Sequence, residues 1–329
     1  MVIMYDVITI GSAVVDAFVK SRAFALIKSD KFSTGVGECF AFGSKIEVDQ
    51  LVLSTGGGAT NAAVTFARLG LSTACLARLG TDYLAESVRA DLKREGVATS
   101  LLTSCAKHHT GFSVLLLGNE GERTVLVYRG ASEHCQHGRV SWNKMKAKWF
   151  YVSSLGGHLD QFKQILLQAK KIGASVAWNP GSLELQQGWR ILAPLLNQCA
   201  IVFLNKEEAV LATGEADYKQ ALARLENCGT RVVISDGPRG AEVIGADEHL
   251  LVRTRGIKAV SRTGAGDAFA SGTVAGLAQG WSLSKALQLG VINAESVIQH
   301  LGAKTGILKK VPSIATLNLI RVKNYAPPI

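Results

Sequence analysis

The residues best placed to do chemistry lie in one stretch, Ser261-Arg262-Thr263-Gly264-Ala265-Gly266-Asp267-Ala268-Phe269-Ala270-Ser271-Gly272. Thr263 is a good N-cap, and Ala268, Ser271, Gly272, Ala275 and Gly276 recur at helical spacing, which predicts a helix starting near Gly264. Its first turn then holds two glycines. Each costs about 1 kcal/mol relative to alanine in a helix, and close approach of a ligand to bare backbone is the usual reason. The unpaired N–H groups of that turn, on Ala265, Gly266 and Asp267, would form an anion hole at the positive end of the helix dipole. One turn in, the Asp267 carboxylate stands where a hydroxyl could lose its proton as a phosphoryl group arrives. The alternative is that Asp267 only complements the dipole and the glycines only permit tight packing. The stretch alone leaves both open.

Other polar residues fall where strands should end. Asp6 to Ile10 reads as a buried strand, and the apolar run that follows contains Asp16, either a surface residue at a sheet end or a group awaiting ligand hydroxyls. Gly56-Gly57-Gly58-Ala59-Thr60-Asn61 opens a helix reaching about Leu69. Three glycines allow backbone to pack against a ligand, and Asn61 can donate and accept towards hydroxyls. A flexible turn with Asn61 satisfied locally is the alternative. Asn205 and Glu208, at i and i+3, could order water around magnesium, or Asn205 could simply cap the helix after it. Asp236-Gly237-Pro238-Arg239-Gly240 closes another strand after Ser235, and Asn293 is a polar break inside the last long helix.

These residues need a scaffold, and from Thr73 onward strands and helices alternate: strands at 73–79, 149–152, 175–178, 200–204 and 231–235, helices at 85–95, 159–172, 206–213, 218–227 and 284–300. That alternation predicts an α/β fold with a mainly parallel sheet covered on both faces, and ligands beyond the strand C-terminal ends. Residues 21–44 lack a clean period and read as loop. Lys45 to Gln50 alternates like a half-wet strand, and 112–117 with 124–128 reads as a hairpin through Gly118-Asn119-Glu120-Gly121, so segments of about 17–53 and 110–130 predict a small separate β lid on a single domain spanning 1–329. Its apolar faces would be the natural dimer surface.

With 329 residues, 47% of them hydrophobic, the chain can bury a large core. No run predicts a secretion signal or membrane span, and six scattered cysteines without a C-x-x-C pair suit reduced thiols, so a soluble cytoplasmic protein is expected. His134, Cys135 and His137 are the nearest approach to a metal cluster and lack a second set of ligands. The net charge of +10 permits anionic partners, but the basic residues are too dispersed for a nucleic-acid reader. There is no Walker A motif and no G-x-G-x-x-G after a strand.

Taken together the set resembles the ribokinase-like, or PfkB, family of carbohydrate kinases, in order from residue 6 to about 312. Thr263 to Phe269 is similar to its second signature, Gly56 to Ala63 to its first, Asn205-Lys-Glu-Glu208 to its N-x-x-E element, Ser235 to Gly240 to its nucleotide-side glycine loop and Gly302-Ala303 to its adenine-side segment. The resemblance implies a three-layer α/β/α sandwich with a small β lid and an ATP- and Mg2+-dependent kinase of a small sugar or sugar-like acceptor. It implies Asp267 as general base beside the Gly264–Gly266 anion hole that includes Ala265, with Asp16, Gly57, Gly58 and Asn61 on the acceptor. The nucleotide falls to Asn205, Ser235, Gly237, Gly240, Thr263, Asn293 and Ala303, and the magnesium, through water, to Asn205 and Glu208. A nucleoside kinase of the same family and a catalytically silent nucleotide-binding regulator are the alternatives. Three departures qualify the likeness. Gly58 replaces the lysine of ribokinases proper, which counts against ribose. Ser261-Arg262 replaces an acid of the monovalent-cation site, which counts against potassium activation; Arg262 would either supply fixed positive charge near the phosphates instead or be a solvated surface arginine. Ser153-Ser-Leu-Gly-Gly157 lacks an acid found in some sugar kinases.

Overall fold

The computed structural model describes residues 4–32, 34–118, 123–133, 142–245 and 248–325. The β-branched run at the start forms strand Tyr5–Gly11, third from one edge of a ten-stranded sheet. In spatial order the sheet runs Thr103–Ser104, Thr73–Leu79, Tyr5–Gly11, Ala147–Val152, Ser175–Trp178, Ile201–Asn205 and Arg231–Ser235, then Ala241–Ile244, Leu250–Val252 and Val322–Asn324. The first seven are parallel and the last three antiparallel.

Both faces are covered, which is why the strands read as apolar throughout. Ile8, Ile10, Phe150 and Trp178 meet Leu159 and Phe162 of helix Leu159–Ile172 on one side. Val7, Tyr151 and Phe203 meet Phe66, Phe269, Val274 and Leu287 on the other, from helices Gly58–Arg68, Ala265–Ala278 and Leu283–Val297. The small residues at helical spacing let the last two helices touch backbone to backbone: a Cβ on Gly272 would come 3.0 Å from Gly290 Cα. The result is the expected three-layer α/β/α arrangement with loops gathered beyond the C-terminal ends of the parallel strands.

A separate four-stranded sheet, in the order Gln50–Gly56, Val14–Lys20, Gly111–Leu117 and Arg123–Tyr128, supplies the small β lid. Its central pair is parallel and its two outer pairs antiparallel. Two local expectations are corrected. Residues 21–44 are not all loop, since Ala25–Lys28 and Val36–Cys39 pair as a hairpin. The Phe24 and Phe40 rings, 6.3 Å apart, close its open end. Lys45 to Asp49 lies outside any strand, because the partner strand ends where Lys20 pairs with Gln50 and leaves them no ladder. The expected turn at 119–121 and the His134, Cys135, His137 group lie outside the described residues. Among the described residues no helix is long and apolar enough to cross a membrane.

Candidate active site

Helix Ala265–Ala278 begins at the carboxyl end of the parallel sheet, and its N-cap is Gly264, not Thr263. Gly264 has φ +81°, and a Cβ there would lie 2.5 Å from Ala303 Cβ, so both conformation and space demand glycine. A threonine side chain cannot cap from one position earlier; the Thr263 hydroxyl is buried with no hydrogen-bond partner among the described residues. The Ala265 N–H turns back to the Arg262 carbonyl at 3.3 Å. Two donors, on Gly266 and Asp267, therefore point forward where three were expected.

Asp267 sits directly behind them. Its Oδ2 accepts a hydrogen bond from Asn61 Nδ2 at 2.8 Å, and burial pushes its carboxyl above the ordinary value while the Asn61 bond pulls it back. Asn61 thus binds the carboxylate with its amide nitrogen, and its Oδ1 is buried with no partner among the described residues. Asp16 is buried at the base of the small sheet. Burial raises its carboxyl, Ser113 and Lys304 work against that, and the Asp267 charge adds to it. The glycine triplet packs closely against protein, and of the three Gly58 also borders open space beside Asp267. Gly56 abuts the Asp16 carboxylate, Gly57 at φ +98° lies against the Ser12 carbonyl, and a Cβ on Gly58 would come 2.7 Å from Ser153 Cβ. The Gly58 N–H donates to Ser12 Oγ at 3.1 Å.

Asn205 and Glu208 form a reciprocal capping box: the Glu208 N–H donates to Asn205 Oδ1 and the Asn205 N–H to a Glu208 oxygen, both at 2.8 Å. Burial raises the Glu208 carboxyl, with the charge on Asp267 contributing. The cap engages one Glu208 oxygen and leaves the other to the cavity. Such a buried carboxylate suits a hard cation held through water, whereas the Asn205 oxygen is already engaged.

Two cavities meet at this point. One of about 370 Å³ is lined by Ser12, Gly58, Ser153, Asn179, Glu208 and Asp267 among others, and by Arg123 from the small sheet. The other, about 320 Å³ and mostly apolar, is lined by Gly237, Gly240, Thr254, Ile257, Ala294 and Ile298 among others. Ser235, Arg262, Gly266 and Phe269 line both, so Gly266 stands at the junction. Beside the second cavity Arg239 and Lys206 grip Asp236, and the Arg239 hydrogen bonds hold its carboxyl down at about 2.

Two expected nucleotide contacts are corrected. Asn293 is fully buried, donating to the Ala268 carbonyl at 2.9 Å and accepting from the Leu308 N–H at 3.1 Å; it ties three segments together away from either cavity. Ala303 is buried beneath Gly264 and supports the turn from behind. Sequence reasoning missed Arg123, Ser12 and Lys304. Buried Lys304 donates to Thr55 Oγ1 at 2.8 Å and pairs with Asp91 at 3.1 Å, joining the strand that leads into the glycine triplet to the loop under Gly264. Burial lowers the Lys304 ammonium, and Asp91 counteracts it. Only an unusual lysine between Gly302 and Gly306 signalled it.

The pfkB family carbohydrate kinase profile matches residues 7–310. The chain belongs to the pfkB family of carbohydrate kinases. Its relatives include an uncharacterized sugar kinase of Archaeoglobus fulgidus, 26% identical over 251 residues, covering 74% of this chain and 98% of that protein. A cytidine kinase of Thermococcus kodakarensis is 28% identical over 253 residues, covering 75% and 87%. Among solved structures, a probable sugar kinase from Rhizobium etli superposes with a TM-score of 0.76 at 24% identity, covering 93% of this chain and 97% of that one. This pfkB chain is an ATP-dependent carbohydrate kinase with the ribokinase-like fold.

Proposed function

We propose that the chain transfers the γ-phosphoryl group of ATP to a hydroxyl of a small sugar or sugar-like acceptor, with Asp267 as general base. The observation that carries this reading is the junction of the two cavities, where the Gly266 and Asp267 N–H groups and the Asp267 carboxylate stand together. The apolar cavity suits a nucleotide base, and the polar one suits hydroxyls. The two N–H groups would then face the phosphoryl oxygens while the carboxylate orients the acceptor hydroxyl and takes its proton. A carboxyl raised by burial is a better base at neutral pH than an ordinary one. Asn61 holds Asp267 in place, and Asp16 receives acceptor hydroxyls. Glu208 would hold magnesium through water, with Asn205 holding Glu208; the ion supplies charge neutralisation on the phosphates. The small sheet, closing over the acceptor, would exclude water, which separates a kinase from an ATPase.

The whole chain would act as one cytoplasmic kinase domain, without need of potassium, and as a homodimer through the lid. A nucleoside acceptor is the second reading, favoured by the cytidine kinase among the relatives. ADP release measured across a panel of sugars and nucleosides distinguishes the two, and release that depends on no acceptor would return the silent regulator. With the best acceptor, Asp16→Ala should raise KM for the acceptor about 10-fold or more and leave ATP binding intact, because it leaves substrate hydroxyls unpaired. Unchanged acceptor kinetics in that variant would refute the assignment of Asp16.

A further inference from the structure

We propose that Arg123 selects an acceptor bearing an anionic substituent, a phosphate or a carboxylate, at the end remote from the reacting hydroxyl. The proposal rests on the kinase reading above and names its substrate class.

Arg123 opens the edge strand Arg123–Tyr128 of the small sheet and is exposed, yet it lines the same cavity as Asp267. The sheet register says which face it shares. Asp16 pairs with Ser113 and Ser113 with Val127, and cross-strand partners stand on one face. Two residues further along are Leu115 and Val125, and two further again Leu117 and Arg123. Arg123 and Asp16 therefore share the face turned towards the cleft, with an acid at its base, apolar side chains between and a cation at its far end. Four residues along the strand, about 13 Å, and two strand spacings, about 10 Å, put the two backbone positions roughly 16 Å apart, and an arginine side chain closes part of that gap. The space between suits a small polyol gripped at both ends.

The charge pattern favours an anion at the Arg123 end. Among the described residues the Arg123 guanidinium has no hydrogen bond or ion pair, whereas Arg68, Arg239 and Arg255 are each held by a carboxylate. The carboxylates lining the cavity, Asp267 and Glu208, are grouped at the phosphoryl-transfer end, and the nearby Ser12, Ser153, Ser154 and Asn179 are neutral. An anionic substituent directed towards Arg123 thus avoids the acids and meets a planar fork whose geometry matches phosphate or carboxylate. A wholly neutral acceptor would leave that exposed fork to solvent and make no use of it. The transferred phosphoryl group is the competing occupant. The proposed donors for that group lie at Gly266, where Arg262 also lines both cavities, and Arg123 belongs to the opposite end of the small sheet from Gly56.

The test is ADP release by the full chain with matched acceptor pairs: ribose and ribose 5-phosphate, fructose and fructose 6-phosphate, glucose and gluconate. The expected result is at least one anionic member exceeding its neutral partner 10-fold or more in kcat/KM. Arg123→Met should then raise KM for that member roughly 10- to 100-fold with a much smaller change in kcat, bringing the ratio within the pair towards one. Arg123→Lys, with charge but no fork, should fall between. Preference for the neutral member in every turned-over pair overturns the proposal while leaving the kinase reading intact. An Arg123→Met variant that loses kcat equally with both members also overturns it and assigns Arg123 to the phosphoryl group. Absence of ADP release with every acceptor, these and the wider panel alike, would fail the kinase reading and this proposal with it.

Discussion

Alanine at Gly264 and at Gly266 should fail for opposite reasons. At Gly264 the backbone is left-handed, at φ +81°, where a non-glycine residue costs roughly 1–2 kcal/mol. The new Cβ would also lie 2.5 Å from Ala303 Cβ and 2.7 Å from its Cα, so with ordinary contact at 3.4 Å or more the turn must move by about 0.9 Å. A shift of about 1 Å in groups that position a reaction costs on the order of 100-fold in rate. Gly264→Ala should therefore lose about 2 kcal/mol of stability or more and about 100-fold in kcat together. At Gly266 no atom lies within 4 Å of a built Cβ, and helix position favours alanine by about 0.5–1 kcal/mol. Gly266→Ala should be as stable as the parent or more so, yet it sets a methyl group in the junction where the phosphoryl oxygens are proposed to lie. Urea unfolding with ADP-release kinetics on both variants separates these outcomes. A stable Gly266→Ala enzyme with parental kcat and KM for ATP would show that the phosphoryl group does not approach this turn.

Leu51, Leu53 and Leu126 share the outer face of the small sheet and are 58%, 62% and 54% exposed, so the protein should sediment as a dimer and Leu53→Glu as a monomer; a monomeric parent contradicts the lid interface. Because burial raises the Asp267 carboxyl in the folded state, its ionisation weakens the fold as pH rises through that raised value, and the penalty is absent below the ordinary value of about 4. Asp267→Asn should therefore melt higher than the parent at pH 7 to 8, by about 2–4 °C for each kcal/mol relieved, and the gain should shrink as pH falls towards 4; a gain that grows on acidification would reverse the sign of the argument.

Where function rests on local pattern, the sequence was legible. Strands at 73–79, 175–178 and 231–235 and helices at 159–172 and 206–213 lie where periodicity and caps predicted them, since apolar strands buried on both faces and capped helices signal themselves within a few residues. The two-glycine turn with Asp267 was legible for the same reason. What escaped depends on contacts between distant segments. Asn61 reaches Asp267 across 206 residues and Lys304 reaches Thr55 across 249, so no spacing rule could place the Asn61 amide nitrogen on the carboxylate or bury a lysine in a glycine-flanked loop. Asn293 misled because a polar residue in a helix interior marks equally a ligand contact and a buried tie between helices. In the triplet Gly56 to Gly58 close approach was correctly inferred, and part of it comes from within the chain, from Asp16, Ser12 and Ser153, while Gly58 also borders the cavity beside Asp267.

Asp267 is proposed to take the acceptor's proton beside the helix N-terminus, and steady-state turnover of Asp267→Asn with ATP and the best acceptor measures this. The asparagine keeps the shape and can still accept the Asn61 hydrogen bond, but it cannot take a proton. The expected result is a fall in kcat by roughly 10² to 10⁴ while ATP affinity, from equilibrium binding, stays within about 3-fold. Turnover within about 3-fold of the parent would place the base elsewhere and rule out Asp267.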